Sequence, residues 1–236
     1  MIIEKNTPIG TIVRENFKTA KIFEKYRIDF CCGGSQALSD ACHNAGISAE
    51  SLLSELQETL NHTDPDAAWL EQMALDRLCT YILERHHRYV RDTLPFLKAK
   101  LTKLCEVHGE NHPELYEVRR LFEQAGENLS QHMLKEERIL FPAIAQNVLI
   151  VNSPGHSGDD LIDIQSPIDQ MEEEHRVEGD RFETIAQLTE NFTAPPDGCN
   201  TYRVTYQTLR EFEQDLHRHI HLENNLLFKK AVLLGK

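Results

Sequence analysis

A ten-residue pattern occurs twice in this chain with identical internal spacing: His132-x3-Glu136-x3-Leu140-Phe141 and His219-x3-Glu223-x3-Leu227-Phe228. On a helix, residues four apart lie one turn apart on the same face. Each copy therefore presents an imidazole beside a carboxylate, and two such helices facing each other would surround a metal ion. The repetition extends upstream. His87 precedes His132 by 45 residues, and His175 precedes His219 by 44. The chain from about 69 to 147 thus resembles the chain from about 165 to 236. Two helix pairs of one kind make an all-α, antiparallel four-helix bundle with approximate internal twofold symmetry, which sets four histidines and two glutamates around one centre.

Hydrophobic periodicity tests this independently, because an amphipathic helix buries residues in alternating steps of three and four. The first stripe reads Cys79, Leu83, His87, Val90, Leu94, Leu97, Leu101, Leu104, with His86 about 100° away. The second reads Leu115, Val118, Phe122, Ala125, Leu129, His132, Glu136, Ile139, Ala143. The third reads Ile168, Met171, His175, Gly179, Phe182, Ile185, and the fourth Tyr202, Thr205, Leu209, Phe212, Leu216, His219, Glu223, Leu226. A single histidine on an apolar stripe is usually a hydrogen-bonded core residue. Six metal-ligand residue types at one level are different, because buried carboxylates are costly unless paired or metal-bound. His86, His217 and His221 point off the seam.

The ligand set selects the metal. Four imidazoles and two carboxylates are too many donors for one zinc and too rich in nitrogen for calcium or magnesium. Two iron ions, bridged by Glu136 and Glu223 and each held by two imidazoles, use all six; residue types alone also admit manganese. A ferritin-like di-iron bundle is the structural rival. Such bundles use Glu-x-x-His on two helices and Glu on the others, and the chain contains Glu84-x-x-His87 and Glu172-x-x-His175. Those glutamates sit about 60° from their histidines, facing solvent or standing behind the ligands, and the histidine-rich set favours a hemerythrin-like centre.

Residues 1–62 have a different texture and form a small helical unit. Ile9, Ile12, Val13 and Phe17 suggest one short helix, and Ala20, Ile22, Phe23 and Tyr26 a second. Asp29-Phe30-Cys31-Cys32-Gly33-Gly34 is a sharp break. A third helix is expected from about Ser35 to Asn44, and Ser48 is the expected N-cap of a fourth. Asn61–Asp66 reads as a linker. The paired glycines permit unusual backbone and could expose both sulfurs at a helix start, where thiolate is favoured. Cys31 and Cys32 are therefore candidates for redox or transfer chemistry, or else two small residues filling a tight turn. Two cysteines cannot by themselves hold a stable cluster.

Taken together, Asp29-Phe30-Cys31-Cys32-Gly33-Gly34, His132-Met133-Leu134-Lys135-Glu136-Glu137-Arg138-Ile139-Leu140-Phe141-Pro142 and His219-Ile220-His221-Leu222-Glu223-Asn224-Asn225-Leu226-Leu227-Phe228 resemble the di-iron proteins of iron-sulfur cluster repair, the RIC family of the ScdA/YtfE type. The resemblance covers nearly the whole chain. It implies a cysteine-bearing domain over 1–62, a hemerythrin-like bundle over 69–236, and two non-haem iron ions per chain on His87, His132, Glu136, His175, His219 and Glu223. It further implies repair of clusters damaged by oxidative or nitrosative stress, through iron donation or through binding and reduction of nitric oxide. Damaged iron-sulfur proteins would be the partners, nitric oxide or oxygen the small ligands, and a homodimer is compatible with this. Lys229 stands where the family often has proline. Other functions for such a bundle are an oxygen or nitric oxide carrier or sensor, for which the cysteine pair is superfluous, and a ferritin-like iron oxidase.

Composition fits that reading. No apolar run is long enough to span a membrane and no secretory signal is visible. Six cysteines without a regular framework suggest reduced thiols in a cytoplasm, with Cys42, Cys79, Cys105 and Cys199 structural. A net charge of −13 argues against nucleic acid as a partner. Asn147 to Gln165 reads as a mobile surface loop, with His156 outside the ligand set.

Overall fold

A computed structural model describes residues 3–62, 64–155 and 160–234. Among them there is no β-strand, only an isolated antiparallel bridge between Pro8 and Ala37, and the all-α expectation holds. The helices are α1 (Ile9–Glu15), α2 (Ala20–Lys25), α3 (Leu38–Asn44), α4 (Ala49–Leu60), α5 (Pro65–Gln72), α6 (Leu75–Ile82), α7 (Arg88–His108), α8 (Glu114–Lys135), α9 (Phe141–Val151), α10 (Gln165–Leu188), α11 (Asn200–Leu222) and α12 (Phe228–Ala231). No helix among the described residues is long and apolar enough to cross a membrane.

The chain forms two compact units. One comprises Thr80–Ala143 and Asp163–His217, the other Met1–Cys79, Ile144–Ile162 and Arg218–Lys236. In the first, residues 80–108, 114–143, 165–188 and 200–217 pack as a four-helix bundle. Its core follows the expected stripes: Val90, Leu97, Leu101, Val118, Phe122, Phe182, Ile185, Leu209 and Phe212 are all buried. Three rings knit three of the helices together. Phe122 meets Phe182 and Phe212 edge-on at 6.4 and 5.4 Å, and Phe182 stacks on Phe212 at 5.6 Å. Such aromatic pairs add to simple area burial.

In the second unit, Ser48 caps α4 by accepting from the backbone of Ser51. The linker is shorter than expected. Asp64 accepts from Asp66 N and Ala67 N, and Pro65 occupies the first turn of α5, a pairing that starts helices rather than loops. Phe17, Phe23, Phe30 and His221 make an aromatic cluster with ring centroids 5.8 to 6.3 Å apart. The connection after α9 is also shorter than Asn147–Gln165. α9 runs on to Val151, and buried Asn147 exchanges hydrogen bonds of 2.9 and 2.8 Å with the backbone of Ile162. His156 and Gly158 lie outside the described residues.

Three stretches among the described residues, Leu83–His87, Glu136–Leu140 and Glu223–Leu227, are π-helical rather than α-helical, and each carries one proposed ligand. Arg88 N–H donates to Leu83 O, Phe141 N–H to Glu136 O, and Phe228 N–H to Glu223 O, each five residues back. A π turn inserts one extra residue, so the apolar stripe shifts by one. Leu140 is consequently buried and Ile139, expected inside, is 60% exposed. In the first helix Ile82 is buried while Leu83 is only half-buried, and His86 is buried along with His87.

Phe182→Ala is expected to cost about 3–5 kcal/mol of stability, read as a lower urea midpoint at unchanged slope. Val204→Ala, on a solvent-facing position of the same bundle, should leave the midpoint in place.

Candidate metal centre

Within the bundle unit, two π turns, α8 and α10 bring four of the six expected side chains together. His87, His132, Glu136 and His175 are all buried, Glu136 completely. His87 Nε2 lies 3.3 Å and His132 Nε2 3.4 Å from the same oxygen, Glu136 Oε2, and His132 Nε2 and His175 Nε2 are 2.9 Å apart. Donors about 2.1 Å from one ion at right angles stand about 3.0 Å apart, so these spacings fit metal ligands. One oxygen of Glu136 is thus within reach of both His87 and His132. In the second unit the repeat supplies the remaining pair: His219 Nε2 is 2.9 Å from Glu223 Oε1, and both are buried.

The outer nitrogens of two of these imidazoles are fixed by carboxylates. His87 Nδ1 donates to Glu137 Oε1 at 2.7 Å, and Arg91 pairs with that same carboxylate. His132 Nδ1 donates to Glu174 Oε2 at 2.9 Å, and Lys135 pairs with Glu174. A carboxylate can only accept here, so both rings carry a proton on Nδ1 and turn Nε2 inward. Carboxylate–histidine pairs of this kind orient metal ligands and raise their basicity. The hydrogen bond from His132, helped by Lys135 and Gln170, holds Glu174 down to about 2, ionised throughout the neutral range. Neither carboxylate was singled out in the sequence: Glu84 and Glu172, the candidates there, are exposed. Glu137 and Glu174 are chain neighbours of the expected ligands Glu136 and His175, off the apolar stripe, and no hydrophobic period marks them. His86, although buried, is directed to Asp215, with Nδ1 3.1 Å from its carboxylate.

The cysteine loop is built differently from expectation. Residues 31–36 are bends and turns and α3 starts only at Leu38, so the sulfurs do not sit at a helix start. Cys31 is buried and Cys32 half-buried. The Cys32 thiol, burial and the Asp29 carboxylate together push the Cys31 thiol well above its ordinary value. The loop is fastened to the π turn that bears Glu223. Asn225 Nδ2 donates to Cys31 O at 3.0 Å and Asn224 Nδ2 to the same carbonyl at 3.3 Å. Burial drives His221 down to about 3; neutral, it takes a hydrogen bond from Asn225 at 3.3 Å and bonds to the backbone of Phe30. A Cβ at Gly34 would overlap Asn225 Oδ1, so the second glycine of the motif is what lets the loop lie on Asn225. Lys229, at the position where proline is common, donates to Asn225 Oδ1 at 3.1 Å.

All six cysteines are thiols. Cys42, Cys79 and Cys105 are buried as expected, but Cys199 is exposed and lies 3.3 Å from His108 Nε2. The hydrogen bond from His108 and the backbone N–H groups of Tyr202 and Thr201 lower it to about 7.

Buried histidines and a glutamate on the facing stripes of a helical bundle define a non-haem metal protein of the hemerythrin type. A family model described as the hemerythrin HHE cation binding domain matches residues 79–231, and one described as a domain of unknown function (DUF542) matches residues 5–60. The iron-sulfur cluster repair protein ScdA of Staphylococcus haemolyticus is 34% identical over 229 residues, 97% of this chain and 99% of that protein. The iron-sulfur cluster repair proteins YtfE of Yersinia pseudotuberculosis and Yersinia pestis are each 36% identical over 230 residues, 97% of both chains. The chain belongs to the hemerythrin-domain family of ScdA and YtfE. Its cofactor is accordingly a di-iron centre, two non-haem iron ions per chain, and the inward-facing imidazoles and buried carboxylates suit it.

Glu137→Gln and Glu174→Gln should each weaken iron retention about 10–100-fold in competition with a chelator, whereas Glu84→Gln should not change it. Alkylation of Cys199, followed by mass spectrometry against pH, should inflect near 7, and His108→Gln should move that inflection upward.

Proposed function

We propose that this protein restores iron-sulfur clusters damaged by oxidative or nitrosative stress, through a di-iron centre on His87, His132, Glu136, His175, His219 and Glu223. Iron-sulfur proteins carrying damaged clusters are its partners. Residues 1–62 serve as the cysteine-bearing domain and residues 69–236 as the hemerythrin-like domain, in keeping with the two matched stretches. The 2.9 Å approach of His132 to His175 supports a shared role for those two on one iron; His87 and His219 would hold the other, and Glu136 and Glu223 would be the carboxylates the two irons share. Bound iron supplies a ferrous ion that can be given up and open positions for nitric oxide or oxygen.

The protein's own residues decide how that iron is held. Glu137 and Glu174 keep imidazole lone pairs inward, and Arg91 and Lys135 offset the charge of these outer carboxylates. Carboxylate and imidazole ligands make a centre more releasable than an all-thiolate cage, which suits iron donation. The observation that carries repair over simple gas carriage or storage is the fastening of the Cys31–Cys32 loop to the Glu223 turn by Asn224 and Asn225. A carrier or a store has no use for two thiols held beside a ligand-bearing turn. Cys31 and Cys32 handle electrons, nitrosyl groups or iron in transit. Thiols without disulfides support a cytoplasmic location, and a homodimer remains compatible with the family.

Iron-loaded protein should reactivate a cluster enzyme previously inactivated by nitric oxide. His132→Ala should slow recovery at least about tenfold, as expected when a ligand is lost, and Cys31→Ala/Cys32→Ala should slow it as well. Recovery at the wild-type rate with both variants would overturn the assignment.

A further inference from the structure

The loop at Asp29–Gly34 brings together three groups that bind thiophilic cations, all within the second unit. One ligand atom each from Asp29, Cys31 and Cys32 lie within 4.8 Å of one another. The two sulfurs are 3.9 Å apart. Two thiolates about 2.3 Å from a common ion at a tetrahedral angle would stand about 3.8 Å apart, whereas a disulfide would need about 2.05 Å. Asp29 Oδ1 lies 3.2 Å from Cys31 Sγ, close to the roughly 3.6 Å expected of a carboxylate oxygen and a thiolate on one ion.

The arrangement is also held from behind. Asp29 Oδ1 accepts from Cys31 N and Cys32 N at 3.0 and 2.9 Å, and Asp29 Oδ2 accepts from Gly33 N at 2.9 Å. Asn224 and Asn225 hold the Cys31 carbonyl from the other side. Hydrogen-bonded ligands of this kind are pre-oriented. Burial of Cys31 beside a second thiol and a carboxylate disfavours its thiolate when no cation is present, and a cation removes that penalty. Cys32 is only half-buried, so the group opens to solvent on that side.

We propose that Asp29, Cys31 and Cys32 form a three-ligand site for a thiophilic divalent cation of the ferrous or zinc type, with a fourth position open beside Cys32. Binding replaces the two thiol protons, which leave to solvent as the two metal–sulfur bonds form, so affinity rises with pH. The site stands by itself; its use as a station for iron in transit rests on the repair function.

Cobalt(II), a spectroscopic substitute for either ion, tests it on the full chain freed of metal. The histidine and glutamate centre contains no sulfur, so a sulfur-to-cobalt charge-transfer absorption separates a thiolate site from it. The band should saturate at the intensity of one sulfur-bound cobalt per chain, weaken strongly in Cys32→Ser and disappear in Cys31→Ser/Cys32→Ser. Asp29→Asn should weaken binding about tenfold. Cys199→Ser should keep the band. Cys32→Ser is the safest variant for folding, because no backbone hydrogen bond depends on its sulfur. His132→Ala, which should fail in cluster repair, keeps the band, so loss of the repair function and loss of this site are told apart. Absence of the band at saturating cobalt, its survival in the double variant, or its loss in Cys199→Ser overturns the proposal.

Discussion

Glu136 sits with no solvent exposure inside a helical bundle, between imidazoles from its own helix and from α7's approach turn. Moving a carboxylate into such a place costs several kcal/mol even after relaxation, and the cost is offset only by a well-placed positive partner. The hydrogen bonds to Glu137 and Glu174 place a proton on the outer nitrogen of His87 and of His132 and turn the inner nitrogens toward Glu136. Imidazole nitrogens gathered on a buried carboxylate in this way suit a bound cation. The bundle core positions these donors, the π turns aim them, and Arg91 and Lys135 neutralise the outer carboxylates where water can still reach.

The twofold repeat carries much of this in the sequence itself. The His-x3-Glu spacing, the upstream histidines and the four stripes together mark the bundle and the buried ligands, because burial imposes a period that survives without any coordinates. What the stripes mispredict has one cause. Ile139 faces out, Leu83 is only half-buried and His86 is buried, because a π turn shifts the register by one residue at each of those points. A period of 3.6 cannot foresee that shift, although each of these π turns holds one of the expected ligands. The supporting carboxylates escape for another reason. Glu137 and Glu174 act across helices on half-exposed positions, where charged residues are common and no pattern separates a partner of histidine from an ordinary surface glutamate. Cys199 gains its character from His108, 91 residues away in the chain, which sequence spacing does not connect.

The cysteine motif shows how function and packing share residues. In the sequence Gly34 reads as a residue that permits unusual backbone, and in the structure its missing side chain is what admits Asn225. Asn224 and Asn225 follow Glu223 directly, so the turn that presents a proposed iron ligand is the turn that grips the Cys31 carbonyl. Two features that the sequence separates by nearly its whole length are thereby joined through a few hydrogen bonds. The joining gives chemical content to the pairing of a cysteine-bearing segment with a hemerythrin domain.

In the proposed centre Glu136 and Glu223 would bridge the two irons, and magnetism reads this most directly. Bridged irons couple to each other; separate ones do not. Electron paramagnetic resonance of the iron-loaded protein reduced by one electron should show a single exchange-coupled, mixed-valence signal that accounts for two irons per chain, and Glu136→Ala should abolish it. An isolated high-spin ferric signal in the wild-type protein, with no coupled species, would contradict the account.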